Sequence, residues 1–315
     1  MARIRGVRGA GALLAAVVAA VGMLAGCAPD FGTQHLRIAA GNAGGVYDKL
    51  AQGLATAWSA QLGMDRPEVL QTQGSPDNVN RVLSGDADVA FVAADVAADT
   101  SVLHPGRLAA LARIHDDYLH VVVRDDAPVT SVAQLRGKRI AIGSAESGVE
   151  YIVRKILKVS GLDGTGVVSS RNLGLPEALA ALERNEIDAV FWSGGLPTGP
   201  ISALAGRIKL RLLDIAALMP AMRTANPVYR TATIPSTTYP GIGPVTTLVV
   251  PNFLVVRSEM ADNLAEALVQ GLFDSRDALV QASSAALSID VHPAIETAPL
   301  PLHPGALNYY RTHKA

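Results

Sequence analysis

Arg37-Ile38-Ala39-Ala40-Gly41-Asn42-Ala43-Gly44-Gly45-Val46-Tyr47-Asp48-Lys49-Leu50 and Arg139-Ile140-Ala141-Ile142-Gly143-Ser144-Ala145-Glu146-Ser147-Gly148-Val149-Glu150-Tyr151-Ile152 are two versions of one pattern. Each starts with a short apolar run of strand type, breaks at glycine, passes through small polar residues and enters a stretch of helical period. Leu50, Leu54 and Trp58 share a face in the first; Val149, Ile152, Val153, Ile156 and Leu157 share one in the second. A strand that turns through glycine into a helix leaves the first helical N–H groups unpaired and aimed at the turn. With the helix dipole behind them, they suit a carboxylate or phosphate. One copy is explained by tight packing alone; two copies imply two similar lobes.

A second echo follows at nearly the same distance from each first copy. Gly85-Asp86-Ala87-Asp88-Val89-Ala90-Phe91-Val92 and Asn185-Glu186-Ile187-Asp188-Ala189-Val190-Phe191-Trp192 both read as helix end, turn, acidic residue and buried strand. Two matches in the same order predict a two-lobed α/β protein with a cleft between its lobes.

The 315 residues are enough for two domains with cores of their own. An apolar share of 49% with few aromatics fits a folded chain rather than a disordered one. Part of that share lies at the N-terminus, where Arg3, Arg5 and Arg8 precede an Ala/Val/Leu-rich run from Gly9 to Gly26 of signal-sequence type. No comparable run follows, which excludes a channel or permease. The single cysteine, Cys27, ends Leu24-Ala25-Gly26-Cys27, which resembles the bacterial lipobox. The resemblance implies a lipidated Cys27 as mature N-terminus and an extracytoplasmic chain anchored by lipid to the bacterial cell membrane. Loss of residues 1–26 removes three basic and no acidic residues, leaving 24 basic against 28 acidic, or net −4. That balance offers no basic patch for nucleic acid.

In chain order, residues 27–34 form a tether and 35–122 the first part of lobe one. Residues 123–246 form lobe two, and 247–315 return to lobe one. Strands are expected at Leu36–Ala40, Val69–Thr72, Val89–Ala93, Leu119–Val123, Lys138–Ile142, Ile187–Trp192, Thr247–Val250 and Leu254–Val256. Helices are expected after Tyr47, from Ser75 to Gly85, over Val149–Ser160 and Pro176–Arg184, near Ile201, and over Ala261–Phe273 and Asp274–Ala286. Residues 224–244, rich in Pro and Gly, read as a long irregular connection. The chain is expected to cross between lobes at Leu119–Val123 and again at Thr247–Val256.

Enzyme signatures fail on inspection. Ser147 lacks the flanking glycines of a nucleophile elbow. Gly41-Asn42-Ala43-Gly44-Gly45 lacks dinucleotide-binding spacing, and Gly137-Lys138-Arg139 lacks the rest of a P-loop. His115 and His120 do not make a metal motif. No catalytic residue, metal or cofactor is expected. What converges instead is a set of small, donor-rich turns at strand ends: 41–47, 73–78, 94–95, 143–149 and 193–199. In open α/β sheets ligands sit outside the carboxyl ends of strands.

At these turns the chain resembles the TAXI family of TRAP-transporter solute receptors. The likeness runs through Gly44-Gly45-Val46-Tyr47, Gly74-Ser75 with Asn78, and Ala87-Asp88-Val89-Ala90-Phe91 leading to Asp95-Val96. It continues through Leu135-Arg136-Gly137-Lys138-Arg139-Ile140, Gly143 with Ser147-Gly148, Ile187-Asp188-Ala189, and Gly195-Leu196-Pro197-Thr198. Ala232-Thr233-Ile234-Pro235, Tyr239-Pro240 and His303-Pro304-Gly305-Ala306 complete it, in order and over nearly all of the mature chain. The resemblance implies a type II-like periplasmic binding protein fold that closes on a small carboxylate or amino acid, such as glutamate. A monomer would then deliver it to a sodium-coupled TRAP-type permease. The ligand-binding residues so implied are Gly44, Gly45, Val46, Tyr47, Ser75, Asn78 and Asp95 from lobe one. Lobe two would contribute Ser144, Ser147, Gly148, Val149, Gly195, Pro197 and Thr198. Two positions depart from the family: Asp48-Lys49 replaces a second Tyr and a Pro, and Val149 replaces Thr. An added carboxylate and a lost hydroxyl shift the expected ligand toward one less acidic or bearing an amine. A sensor lipoprotein that presents its closed form to a membrane partner, or an enzyme on the same fold, are the alternatives.

Overall fold

The computed structural model describes residues 31–313; Cys27 and the apolar leader lie outside the described residues. Lobe one begins with β1 (Arg37–Ala39), α1 (Val46–Leu62), β2 (Glu68–Leu70), α2 (Ser75–Ser84), β3 (Val89–Ala93) and α3 (Ala94–Leu103). β1 pairs in parallel with β2 on one side and β3 on the other. A long strand, β4 (Leu108–Arg124), leads to lobe two, and the unit repeats as β5 (Arg139–Ala141), α4 (Gly148–Val159), β6 (Ser169–Arg171), α5 (Leu175–Glu183) and β7 (Ala189–Gly194). Here β5 pairs in parallel with β6 and β7.

The acidic residue of the second echo has the same task in both lobes. Asp88 Oδ2 accepts the Arg37 N–H at 2.8 Å, and the Asp88 N–H donates to the Arg37 carbonyl at 2.9 Å. Asp188 Oδ2 accepts the Arg139 N–H at 2.7 Å, and the Asp188 N–H donates to the Arg139 carbonyl at 2.7 Å. Each carboxylate thus satisfies a backbone donor at the start of the lobe's first strand.

Lobe two continues through α6 (Gly199–Ala205), β8 (Leu210–Leu212), α7 (Met219–Ala225) and β9 (Arg230–Ile234). The return strand is β10 (Val245–Arg257), followed by α8 (Asp262–Asp274), α9 (Arg276–Ala282), α10 (Val291–Ala294) and α11 (Pro304–Thr312). The sheet order is β2-β1-β3-β10-β4-β7-β5-β6, with β9 on β10 and β8 on β4. β4 lies antiparallel to β10 from Leu108 to Tyr118, then to β7 from Tyr118 to Val122. β10 pairs with β9 over Val245–Val249 and with β3 over Asn252–Val256. Two strands therefore carry the chain across, one in each direction.

Several elements differ from the sequence expectation. β4 begins eleven residues before Leu119, because Leu108-Ala109-Ala110-Leu111-Ala112 has the composition of a helix and becomes strand only against β10. Thr247–Val250 and Leu254–Val256 are one strand: Pro251 interrupts the sequence pattern, and the register shift after Asn252 absorbs it. β9 lies inside the Pro-rich 224–244 segment, and α3 starts directly at the end of β3, where only a turn was expected.

One apolar cluster joins Leu50, Leu54 and Trp58 of α1 to Leu264, Leu268 and Leu272 of α8 and to Tyr309 and Tyr310 of α11. Trp58 Nε1 donates to the Leu268 carbonyl at 3.1 Å, so the C-terminal helices pack on lobe one. A second cluster fills lobe two around Leu179, Leu182, Ile201 and Leu204. A third runs beneath both lobes, from Val79 and Val82 to Ile152, Val153 and Ile156.

Candidate functional site

Where the lobes meet, the starts of α1, α2 and α4 open onto one cavity of about 160 Å³. Gly45, Val46 and Tyr47 come from α1 and Gly74 and Ser75 from α2, both in lobe one. Ser144, Ser147, Gly148, Val149 and Ile152 come from lobe two, with Trp192, Ser193 and Gly194 at the end of β7. Asp117 of β4 and Val250 of β10, directly paired, supply the crossing strands' share of the wall. Both lobes contribute, and they touch. A Cβ on Gly74 would stand 3.5 Å from the Gly148 N and 3.8 Å from the Ser147 Cα. Gly74 also has φ +120°, a conformation that glycine alone adopts without strain. Gly143 permits the turn on the other side: at φ +88°, its Cβ would overlap Val149 Cβ at 2.6 Å.

The hydroxyls on the wall already have local tasks. Ser147 caps α4, its Oγ accepting the Glu150 N–H at 3.2 Å, while the Glu150 carboxylate accepts the Glu146 N–H at 2.6 Å. Ser75 Oγ accepts the Ala93 N–H at 2.9 Å and lies 3.3 Å from the Tyr47 hydroxyl. Tyr47 donates to the Asn252 side-chain oxygen and stacks on Phe91 with ring centroids 5.2 Å apart. Burial, with the Asp117 carboxylate adding, pushes the Tyr47 phenol well above its ordinary range, so it remains protonated. Three lining residues also carry a buried polar atom without a hydrogen-bond partner: Trp192 Nε1, Ser193 Oγ and Asp117 Oδ1. Native structures seldom leave such atoms unsatisfied.

Of the residues expected at the site, Gly45, Val46, Tyr47, Ser75, Ser144, Ser147, Gly148 and Val149 line this cavity. The others do not. Asn78 is fully buried behind it, donating to the Ala40 carbonyl at 2.6 Å and the Phe91 carbonyl at 2.7 Å, and so ties the ends of the lobe-one strands together. Thr198 is turned inward, its N–H donating to the Tyr239 hydroxyl at 2.8 Å and its Oγ1 to the Gly195 carbonyl at 2.9 Å. Gly195 and Pro197 stand with it beyond the lining. Gly44 is exposed, and its N–H is held at 2.7 Å by the Asp48 carboxylate, which folds back on its own turn.

Asp95 joins the lobes elsewhere. Its Oδ2 accepts the Tyr229 hydroxyl at 2.7 Å, and its carbonyl accepts Asn226 Nδ2 at 3.1 Å. One helical turn on, Asp99 accepts the Tyr151 hydroxyl and lies 2.7 Å from Lys155 Nζ. Burial lifts the Asp95 carboxyl to about 6, although the Tyr229 hydroxyl and the Val96 N–H pull the other way. Sequence reasoning missed Asp117 and Trp192, and placed Ser193 in a site turn without naming it. An acidic pair, Asp116-Asp117, amid apolar residues was the available sign for the first.

Among the described residues no group of three or more His, Cys, Asp or Glu could hold a metal ion. No helix among them is long and apolar enough to cross a membrane. Residues 38–313 match the NMT1-like family. Among solved structures, a Xanthomonas citri protein bound to ATP is similar at 16% identity and TM-score 0.55, over 88% of this chain and 94% of that one. A Bordetella bronchiseptica RB50 protein is 18% identical with TM-score 0.53, over 88% of each chain. A periplasmic transporter is 13% identical with TM-score 0.52, over 90% and 93%. At these identities the likeness is one of fold, the two-lobed α/β architecture of periplasmic binding proteins.

Proposed function

The chain belongs to the NMT1-like family, and on that premise we propose that it is an extracytoplasmic receptor whose lobes close on one small carboxylated solute. The observation that carries this reading is a cavity walled by both lobes, three of whose lining residues carry a buried polar atom without a hydrogen-bond partner. A solute there would touch both lobes at once, so binding would favour the closed arrangement. The starts of three helices border the cavity, and their dipoles suit the solute's carboxylate. Delivery to a TRAP-type permease, and attachment to the membrane through lipid on Cys27, complete the proposal and rest on the TAXI-like motifs and the lipobox.

Binding without turnover fits the same wall. The Ser75 and Ser147 hydroxyls accept backbone N–H groups, and among the described residues no histidine is hydrogen-bonded to either. ATP, held by the Xanthomonas citri protein, is a poor candidate here. A cavity of about 160 Å³, with Asp117 on its wall and no Lys or Arg, opposes a triphosphate in both size and charge.

The test is purification of the mature chain, identification by mass spectrometry of any small molecule released on denaturation, and calorimetric titration with it. X-ray scattering then follows closure. The expected result is a single site and a more compact particle on binding. A chain that binds no small molecule and keeps one shape throughout would refute the receptor reading.

A further inference from the structure

Neighbouring acidic residues on β4 have opposite circumstances. Asp116 is paired with Arg113, Oδ2 to Nη2 at 2.7 Å, and that arginine also reaches Glu296 at 2.7 Å. Among the described residues Asp117 pairs with no arginine or lysine, and only the His115 ring stands against it. Its Oδ1 is buried and without a hydrogen bond, and it is the only formally charged side chain on the cavity wall among the described residues. His115 Nε2 stands 3.3 Å from that oxygen but outside hydrogen-bonding geometry, and neither ring nitrogen of His115 has a partner. The arginines of β4, Arg113 and Arg124, pair with Asp116 and Asp126, and Arg211 on the neighbouring β8 pairs with Asp125. A largely buried carboxylate is stabilised when a cation meets it.

The rest of the wall has the opposite preference. The helices that begin at Val46, Ser75 and Gly148 bring their N-termini to the same cavity, and partial positive charge there favours an anion. A plain carboxylate would satisfy the helix starts and leave Asp117 facing a ligand of its own sign. A dicarboxylate would be worse. On the receptor reading, we infer that the ligand is a small zwitterion, its ammonium group on Asp117 and its carboxylate on the helix starts. Asp117 is then the residue that selects an amino acid over the corresponding acid. The cavity's volume, about 160 Å³, is close to the roughly 150 Å³ of an engineered cavity that admits benzene, so a compact amino acid is the scale to expect.

The experiment compares compounds that differ only in the amine. The mature chain is titrated with L-alanine against propanoate, 4-aminobutanoate against butanoate, and L-glutamine against 4-carbamoylbutanoate, with glutarate as the dicarboxylate. The small molecule released on denaturation is identified in parallel. The expected result is a released compound that carries both amine and acid, and an amine-bearing member that binds about ten- to a hundredfold tighter than its partner. Asp117→Asn should abolish that preference, while Ser147→Ala weakens both members of a pair alike. Circular dichroism checks that the variants fold; if Asp117→Asn does not, the pairs measured on the parent chain decide. A released acid lacking an amine, or acids that bind as tightly as their amino counterparts, would overturn the zwitterion and leave the receptor reading intact. Absence of binding by every compound, with nothing released, would overturn both.

Discussion

Single side chains on the cavity wall divide into those that hold the wall and those free to hold something else. Tyr47 belongs to the first group, since its hydroxyl is already engaged by Asn252. Tyr47→Phe should therefore lower folding stability by about 1–3 kcal/mol, through an orphaned amide oxygen, with little change in ligand affinity. Ser147→Ala should do both: about 1 kcal/mol of stability from the lost cap, and roughly tenfold in affinity from one contact among several. Urea melts and calorimetric titration separate the two effects; unchanged affinity in Ser147→Ala would remove that hydroxyl from the site. Asp95 gives a prediction in pH. Its carboxyl titrates at about 6 in the folded chain against 3.8 for the free group. Between those values the folded chain holds a proton that the unfolded chain releases. The group's contribution is thus fully present below 3.8 and is lost as pH rises through about 6. Asp95→Asn, always neutral, escapes this loss. Relative to the parent it should gain up to about 3 kcal/mol between pH 4 and pH 7.5, whatever constant offset its altered hydrogen bonds introduce. A stability difference that does not move with pH would refute the assignment. His120 works against this trend in the parent, since burial lowers its ring to about 4 and acid then destabilises the fold; the difference between variant and parent cancels it.

At the scale of elements, the strand-glycine-helix unit was readable because everything that makes it is local. β3 and α2 emerge almost residue for residue from the apolar run Val89–Ala93 and from Ser75-Pro76 before a periodic stretch. The first half of β4 was not readable. Its alanines become a strand only because β10 offers them a ladder, and that partner lies far along the chain. The same holds for Asp117, whose place on the wall follows from its pairing opposite Val250. Asp95 and Thr198, expected among the ligand-binding residues, lie off the cavity lining for a related reason: their partners, Tyr229 and Tyr239, come from the segment that sequence alone leaves irregular. The repeated acidic residue, by contrast, was visible before its purpose was. Asp188→Ala should leave the Arg139 N–H without its carboxylate and cost about 1–3 kcal/mol. The equivalent Asp88→Ala should cost a similar amount, because the bond at Arg37 is nearly the same length, 2.8 Å. Denaturant melts that place either variant within 0.5 kcal/mol of the parent, about the scatter of ordinary surface substitutions, would show the echo to be ornamental.

For the whole molecule, the expected anchor can be checked directly. If Cys27 is the lipidated mature N-terminus, Cys27→Ser should accumulate as an unlipidated precursor, and mass spectrometry of the parent should find a diacylglyceryl adduct at that position. A mature chain starting elsewhere would end the lipoprotein reading. The route of the chain adds a mechanical point. Phe31, at the near end of the described residues, is buried in the same apolar cluster as Tyr309 and Tyr310. The chain thus enters and leaves through lobe one, and lobe two hangs between β4 and β10 alone as far as covalent links go. A leash upstream of Phe31 would therefore restrain one half as a stator and leave the other to swing as a rotor. Were the chain so anchored and its lobes to close on a solute, the unleashed half would be the one to travel relative to the bilayer, and a membrane partner reading its position would read occupancy.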